Sequence, residues 1–282
     1  MDKYLELAGK DDRSLKPAAT PCIDDHLFAE EDFLTEGELS PVGSRIVLKV
    51  LYLARYNRPD TLWSINTMAR AGAKWTVSCD KRLLRLISYL HHTESWCQSC
   101  WVGNHAKDCK LALFVDASFA GDLQDSKSTT GAYLCIVGSR TFVPVLWFCK
   151  KQGAVFHSST EAEVIALEAA LRTEGLAALL FWDLVVSVLH PETETEKSKN
   201  TARGDPGQSS VLSKRPTSSN KFLQTVDFIS PTAPLPNGKA QMIVLEDNEA
   251  TIKFTIKGRS PALKHIARTC RVNLDWLYGR VR

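Results

Sequence analysis

No apolar run in this sequence reaches the roughly 20 residues that a membrane-spanning helix requires. The longest, Leu176 to Leu189, is interrupted by Asp183 and Ser187 and reads as a buried helix, so no membrane partner is expected. The N-terminus is charged from Asp2 onward and lacks the apolar stretch of a secretory leader, so an intracellular setting is the expectation. The eight cysteines are then expected as reduced thiols rather than as a disulfide framework. Neither charge sign dominates. Against 32 acidic side chains stand 35 basic ones, a net charge of +3, which permits a nucleic-acid partner without requiring one. A Gly-rich phosphate loop, a Ser/His/Asp nucleophile elbow and an internal repeat are all absent, which sets aside phosphate-loop, serine-hydrolase and solenoid readings.

What is present is an ordinary globular composition, 44% apolar and 24% charged over 282 residues, enough for one large domain or two small ones. Residues 1–40 mix charge and proline with few periodic apolar positions and read as a flexible linker. A helical region spans 41–110. Ile46, Leu48, Val50, Leu51, Leu53 and Ala54 repeat with a helical period until Arg58-Pro59-Asp60 breaks the pattern. A second helix starts at Leu62. Asp80 reads as the N-cap of a third, with Leu83, Leu84, Ile87 and Leu90 on one face and Lys81, Arg82, Arg85 and His92 off it.

From 111 to 149 the pattern changes to three short β-rich runs separated by polar turns, which predicts an antiparallel meander. Residues 159–189 read as one long helix or two, with Gly175 as the break. The segment 191–240 is rich in Ser, Thr and Pro and has only Phe222 and Phe228 as aromatics, the composition of a disordered insertion. A fourth strand at 241–246 is followed by a helix that Gly258 would cap and by a last helix from Pro261 to Tyr278.

Three acids fall at telling places. Asp116 ends the first strand, Glu163 lies in the first turns of the long helix and Asp247 is the first polar residue past the fourth strand. If the first and fourth strands are neighbours, the three converge. Converging carboxylates suit a hard divalent cation, which takes oxygen ligands and offsets their mutual repulsion. A pair of such ions activates water and stabilises the leaving oxygen of a phosphodiester. Each acid alone has a plainer reading as a cap or turn residue, and periodicity does not select Glu163 over Glu161 or Glu168 on the same helix.

The local strings do select. DASFAGD (116–122), KSTTGAYL (127–134), VLWFCKKQ (145–152), SSTEAEVIAL (158–167) and EDNEA (246–250), in this order, resemble the ribonuclease H region of copia-class LTR retrotransposon Pol polyproteins. The segment from Arg45 through His92 resembles the connection region that follows their reverse transcriptase. The resemblance covers roughly residues 37–190 and 241–282. It implies an α/β fold of ribonuclease H type, a mixed sheet with flanking helices. It implies Mg²⁺ (or Mn²⁺) held by Asp116, Glu163 and Asp247, and hydrolysis of the RNA strand of an RNA–DNA hybrid. It implies as partner the reverse transcriptase part of the same polyprotein, and as setting a cytoplasmic particle or the nucleus. Lys150, Lys151 and Asn248 are then the expected nucleic-acid contacts.

Glu163 follows Asp116 by 47 residues, and Asp247 follows Glu163 by 84, a long gap that the insertion 191–240 accounts for. The family fold ends with a fifth strand and a helix carrying a fourth Asp. Neither falls before Arg282, so the site is expected to be incomplete, with the fifth strand missing, and a non-catalytic remnant that at most binds nucleic acid is the alternative. An integrase shares the fold but orders its acids Asp, Asp, Glu. Cys22-Ile23-Asp24-Asp25 resembles a polymerase hairpin, yet too little chain precedes it for a palm, and linker is the better reading. Cys97, Cys100, His105 and Cys109 approach a zinc-knuckle spacing with the last gap one residue short, and are expected mainly as ordinary cysteines. Lys81, Arg82 and Arg85 read equally as phosphate contacts or as a solvated helix face.

Overall fold

A computed structural model describes residues 2–8, 11, 13, 15–121, 125–191, 238–257, 274, 276 and 277. Most of the expected insertion, Gly258 as a cap, and Lys264, His265 and Asp275 of the expected last helix lie outside the described residues. The described chain is α/β: a set of helices followed by a four-stranded mixed sheet with helices packed on it.

The helical unit is built from α1 (Asp2–Ala8), α2 (Glu30–Leu34), α3 (Gly43–Tyr56), α4 (Leu62–Arg70) and α5 (Val77–His92). Ile46, Val47, Val50 and Ala54 form the buried stripe of α3 and meet Leu62, Ile65 and Met68 of α4 and Leu83, Leu86 and Ile87 of α5. Each fully buried aliphatic side chain in this core contributes roughly 1.5–3 kcal/mol over its exposed state. Tyr4, Leu5 and Leu15 are buried in the same core, so part of the segment read as a flexible linker is packed. The cations read as phosphate contacts or as a solvated helix face hold a further part of that segment. Arg82 pairs with Asp25 at 2.6 Å, Lys81 with Asp32 at 2.6 Å, and Arg85 donates to the Thr20 carbonyl at 2.8 Å. These cations fasten residues 20–32 to α5 and are not a free basic face. Asp80 also differs from expectation. It sits in the first turn of α5 behind Thr76 and accepts from Trp75 Nε1 at 2.6 Å and Leu39 N at 3.3 Å.

The sheet has the order β3-β2-β1-β4. β1 (Lys110–Ser118), β2 (Thr129–Gly138) and β3 (Thr141–Lys151) form the antiparallel meander, and β4 (Met242–Leu245) lies parallel to β1. Along β1 the alternation puts Leu111, Leu113, Val115 and Ala117 into the core and leaves Phe114 and Asp116 on the other face. α6 (Ser159–Ala170) covers that core with Ala162, Val164, Ala166, Leu167 and Ala170. The break expected at Gly175 is a π-helical turn, Leu171–Gly175, that passes directly into α7 (Leu176–Leu189). A Cβ on Gly175 would lie 3.1 Å from Leu113 and 3.5 Å from the Met242 sulfur, so the absent side chain lets the helix approach the sheet.

α7 is less buried than its composition suggests, with Phe181 66% and Val188 68% exposed. Its one acid is buried and occupied. Asp183 accepts from Lys239 N at 2.8 Å and Ala240 N at 2.9 Å and so pins the chain entering β4. α8 (Glu249–Lys257) follows β4, and Leu277 is fully buried in the sheet core. Trp147 Nε1 donates to the Ala54 carbonyl at 2.7 Å and Asn66 Nδ2 to the Cys149 carbonyl at 2.8 Å, which docks α3 and α4 on β3. Among the described residues no helix is long and apolar enough to cross a membrane.

Candidate metal centre

The parallel pairing of β1 and β4 positions the site. The register matches Leu111 to Met242 and Phe114 to Leu245, and its continuation by two residues sets Asp247 beside Asp116. Both acids thus project from the carboxyl ends of adjacent parallel strands, the end of an α/β sheet where ligands bind. Glu163 arrives from α6 on the other side of the sheet.

The local chemistry of α6 decides which glutamate is free to do so. Ser158 caps the helix by accepting from Glu161 N at 3.2 Å, and the Glu161 carboxylate accepts from His157 N at 3.0 Å. Glu168 pairs with Arg172 one turn on. Glu163 remains, and one oxygen each of Asp116, Glu163 and Asp247 lies within 4.8 Å of the other two. Gln152 anchors this end of α6, donating to the Ala162 carbonyl at 2.9 Å and to Thr130 Oγ1 at 3.0 Å.

Asp116 and Asp247 are exposed, whereas Glu163 is only 5% exposed. Burial pushes the Glu163 carboxyl up to about 8, and Glu246, Asp116 and Asp247 add to the rise against the opposing effect of the Ala117 N–H. Its Oε2 is buried with no hydrogen-bond partner. Glu246, which sequence reading passed over, shares this environment. Burial raises it to about 7, with Asp247 and Asp116 reinforcing the shift and the Asn248 N–H opposing it. The signal for Glu246 was the strand period itself, since it continues the inward alternation of Met242 and Val244. A set of oxygen donors with an orphaned buried oxygen fits a hard divalent cation and lacks the soft ligands of a zinc or copper site.

The other candidates separate cleanly. Lys150 is exposed on β3. Lys151 pairs with Asp125 at 2.7 Å. Asn248 Oδ1 caps α8, accepting from Thr251 N at 3.0 Å, so that oxygen is not free to meet a nucleic acid. Asp24 caps a short 3₁₀ turn through His26 N at 3.0 Å, and Asp25 is committed to Arg82, so neither forms a polymerase site. Cys97 and Cys100 are exposed, Cys109 is buried, and His105 meets His190 edge-on at 5.7 Å. Among the described residues these four are not gathered as a metal site. A groove of about 650 Å³ opens beside the acids, lined by Phe114, Tyr133, Trp147 and Trp63 as well as Asp116 and Asp247.

The chain is 30% identical over 132 residues to the secreted RxLR effector protein 161 of Plasmopara viticola, a match that spans 47% of this chain and 84% of that protein. It belongs to the same family as that protein. It is also related to retrovirus-related Pol polyproteins of Arabidopsis thaliana transposons, 31% identical over 146 residues to that of RE2 and 35% over 118 residues to that of RE1. Those matches take in 52% and 42% of this chain but only 10% and 8% of the polyproteins. No protein-family model matches the chain, and no solved structure matches it.

Proposed function

We propose that this chain is a retroelement-derived, ribonuclease H-like domain that hydrolyses the RNA strand of an RNA–DNA hybrid. The observation that carries the reading is the trio Asp116, Glu163 and Asp247, with oxygens within 4.8 Å of one another at the ends of two parallel strands. The relation to retrotransposon Pol polyproteins supports it, as does the four-stranded mixed sheet, which is compatible with a ribonuclease H-like fold.

In this reading Asp116, Glu163 and Asp247 hold Mg²⁺ or Mn²⁺, which when bound supplies a hydroxide-like nucleophile and charge stabilisation at the scissile phosphate. The residues of the chain set the geometry. The Ala117 N–H holds the Glu163 carboxylate, whose Oε2 is buried without a hydrogen-bond partner. Gln152 fixes the first turns of α6 against β2, and so the height of Glu163 above the strand ends. Lys150, exposed near the end of β3, tracks the phosphate backbone of the hybrid. The reverse transcriptase part of a retroelement polyprotein is the partner this role implies, in a cytoplasmic particle or the nucleus.

The test is cleavage of a labelled RNA strand within an RNA–DNA hybrid by purified chain with Mg²⁺, beside Asp116→Asn. Metal-dependent cleavage that falls at least ~100-fold in the variant is expected. A folded protein that binds the hybrid and leaves the RNA intact would replace this reading with that of a non-catalytic nucleic-acid-binding remnant.

A further inference from the structure

We propose that the groove beside Asp116 and Asp247 is a stacking site for an unpaired nucleobase, so that the chain also takes single-stranded nucleic acid with a phosphate at the acids. The inference rests on the nuclease reading, because it needs a cation at those acids to meet the phosphate. The sheet register builds the site. Leu245, Phe114, Tyr133 and Trp147 are paired across β4, β1, β2 and β3, which sets one row of side chains on the face that α6 does not cover. Two residues further along the strands, roughly 7 Å, the next row on that face is Asp116, Gly131 and Cys149. Aromatic rings and carboxylates thus line one groove in adjacent rows, and Trp63 of α4 lines it from the helical unit. A Cβ on Gly131 would have the Asp116 carbonyl oxygen, at 3.8 Å, as its nearest neighbour, and the residue is not in the left-handed region. Neither packing nor backbone requires a glycine there, and its missing side chain leaves the groove floor open beside Asp116.

Two of the rings are held by their edges. Gln98 Nε2 donates to Tyr133 Oη at 2.8 Å, and Trp147 Nε1 donates to the Ala54 carbonyl at 2.7 Å. Their ring centroids lie 5.8 Å apart with 23° between the planes. Phe114 and Trp63 are 41% and 37% exposed and are the rings most open to a ligand. The charge pattern along the groove selects that ligand. No Lys, Arg or His is among the lining residues. Asp60, which also lines the groove, is paired with Arg58 at 2.8 Å, so the remaining acids lie at the strand ends. A cation held there complements a phosphate, and the rest of the groove offers uncharged aromatic surface. A duplex keeps the faces of its bases stacked away, so the complementary group is an unpaired base, and aromatic stacking accepts any base.

The experiment is fluorescence anisotropy of the full chain with Mg²⁺ and a labelled single-stranded oligodeoxyadenosine, beside the same strand with abasic sugars at its centre. Thermal unfolding of each variant is the folding check. Wild type is expected to bind the base-bearing strand ~10-fold or more tightly than the abasic one. Phe114→Ala and Trp63→Ala are each expected to weaken binding of the base-bearing strand by ~10-fold and to leave the abasic one unchanged, whereas Phe114→Trp, which keeps a ring, retains the preference. Equal binding of the two strands by wild type, or folded alanine variants that bind as wild type does, would overturn the role of the groove. Metal-dependent cleavage of the hybrid by the same wild type would then leave the nuclease reading standing. Binding of spermidine in place of the strand, lost in Phe114→Ala, would also overturn the proposal and assign the groove to an organic cation. A folded wild type that binds neither strand and leaves the hybrid uncut would overturn both readings.

Discussion

In the helical unit a buried charge is surrounded by partners, whereas at the strand ends of the sheet Asp116, Glu163 and Asp247 converge on one another. Arg58 is buried, and its guanidinium donates to Asp60 at 2.8 Å, to Thr93 Oγ1 at 2.7 Å and to the Thr93 carbonyl at 3.2 Å. Tyr89 completes the network with a 2.7 Å bond to Asp60. Burial would raise the Asp60 carboxyl, yet the bonds from Arg58 and Tyr89 outweigh it and hold the group below its ordinary range. Glu163 and Glu246 stand in the opposite condition, raised to about 8 and about 7. A fold that can balance one buried charge so fully leaves another cluster unbalanced at a cost in stability. That contrast is the physical reason to assign the first region to structure and the second to a ligand.

Substitutions in the two regions should therefore differ in sign. Arg58→Ala is expected to destabilise the chain by about 2–4 kcal/mol in denaturant unfolding, because it takes from Asp60 and from the buried Thr93 oxygens their guanidinium donor. A loss under about 0.5 kcal/mol would put Arg58 among surface residues and remove the contrast. Glu163→Gln is expected to stabilise the cation-free protein by about 1 kcal/mol near pH 8, since the amide carries no charge to desolvate, and to do nothing near pH 4.5. Destabilisation at both pH values would mean that Glu163 is a structural acid. Lys150→Ala sharpens the comparison from outside the core. Its expected effect on stability is within about 0.5 kcal/mol, while the salt dependence of hybrid binding should fall by about one unit of slope. An unchanged slope would remove Lys150 from the interface.

Much of this arrangement was readable from the residues. The meander follows from alternation broken by polar turns, and Asp116 and Asp247 stand out because each follows a short apolar run, Asp116 falling within β1 and Asp247 just past β4. The packing of Tyr4, Leu5 and Leu15 was not readable, because these side chains follow no period and their core partners, Ile46 to Ile87, lie far along the chain. The roles of Lys81 and Arg82 were obscured for the same reason. Their partners Asp32 and Asp25 lie in a stretch whose composition resembles a linker. Glu246 was hidden by its neighbour: in Glu246-Asp247 the first acid continues the strand inward, and only the pairing of β4 with β1 shows that its oxygen ends without a donor.

The central claim is that the acids at the strand ends form a cation site, and the stability of the chain as a function of pH tests it most directly. Glu163 and Glu246 have carboxyls raised above their unfolded values. Their favourable contribution is complete below about pH 4.5 and is lost as pH rises through about 7 to 8. Without divalent cations, the unfolding temperature is predicted to fall between about pH 5 and about pH 8.5. Millimolar Mg²⁺ or Mn²⁺ is predicted to restore it at the upper end and to change nothing at the lower. A flat profile, or a cation effect of equal size at both ends, would contradict the account.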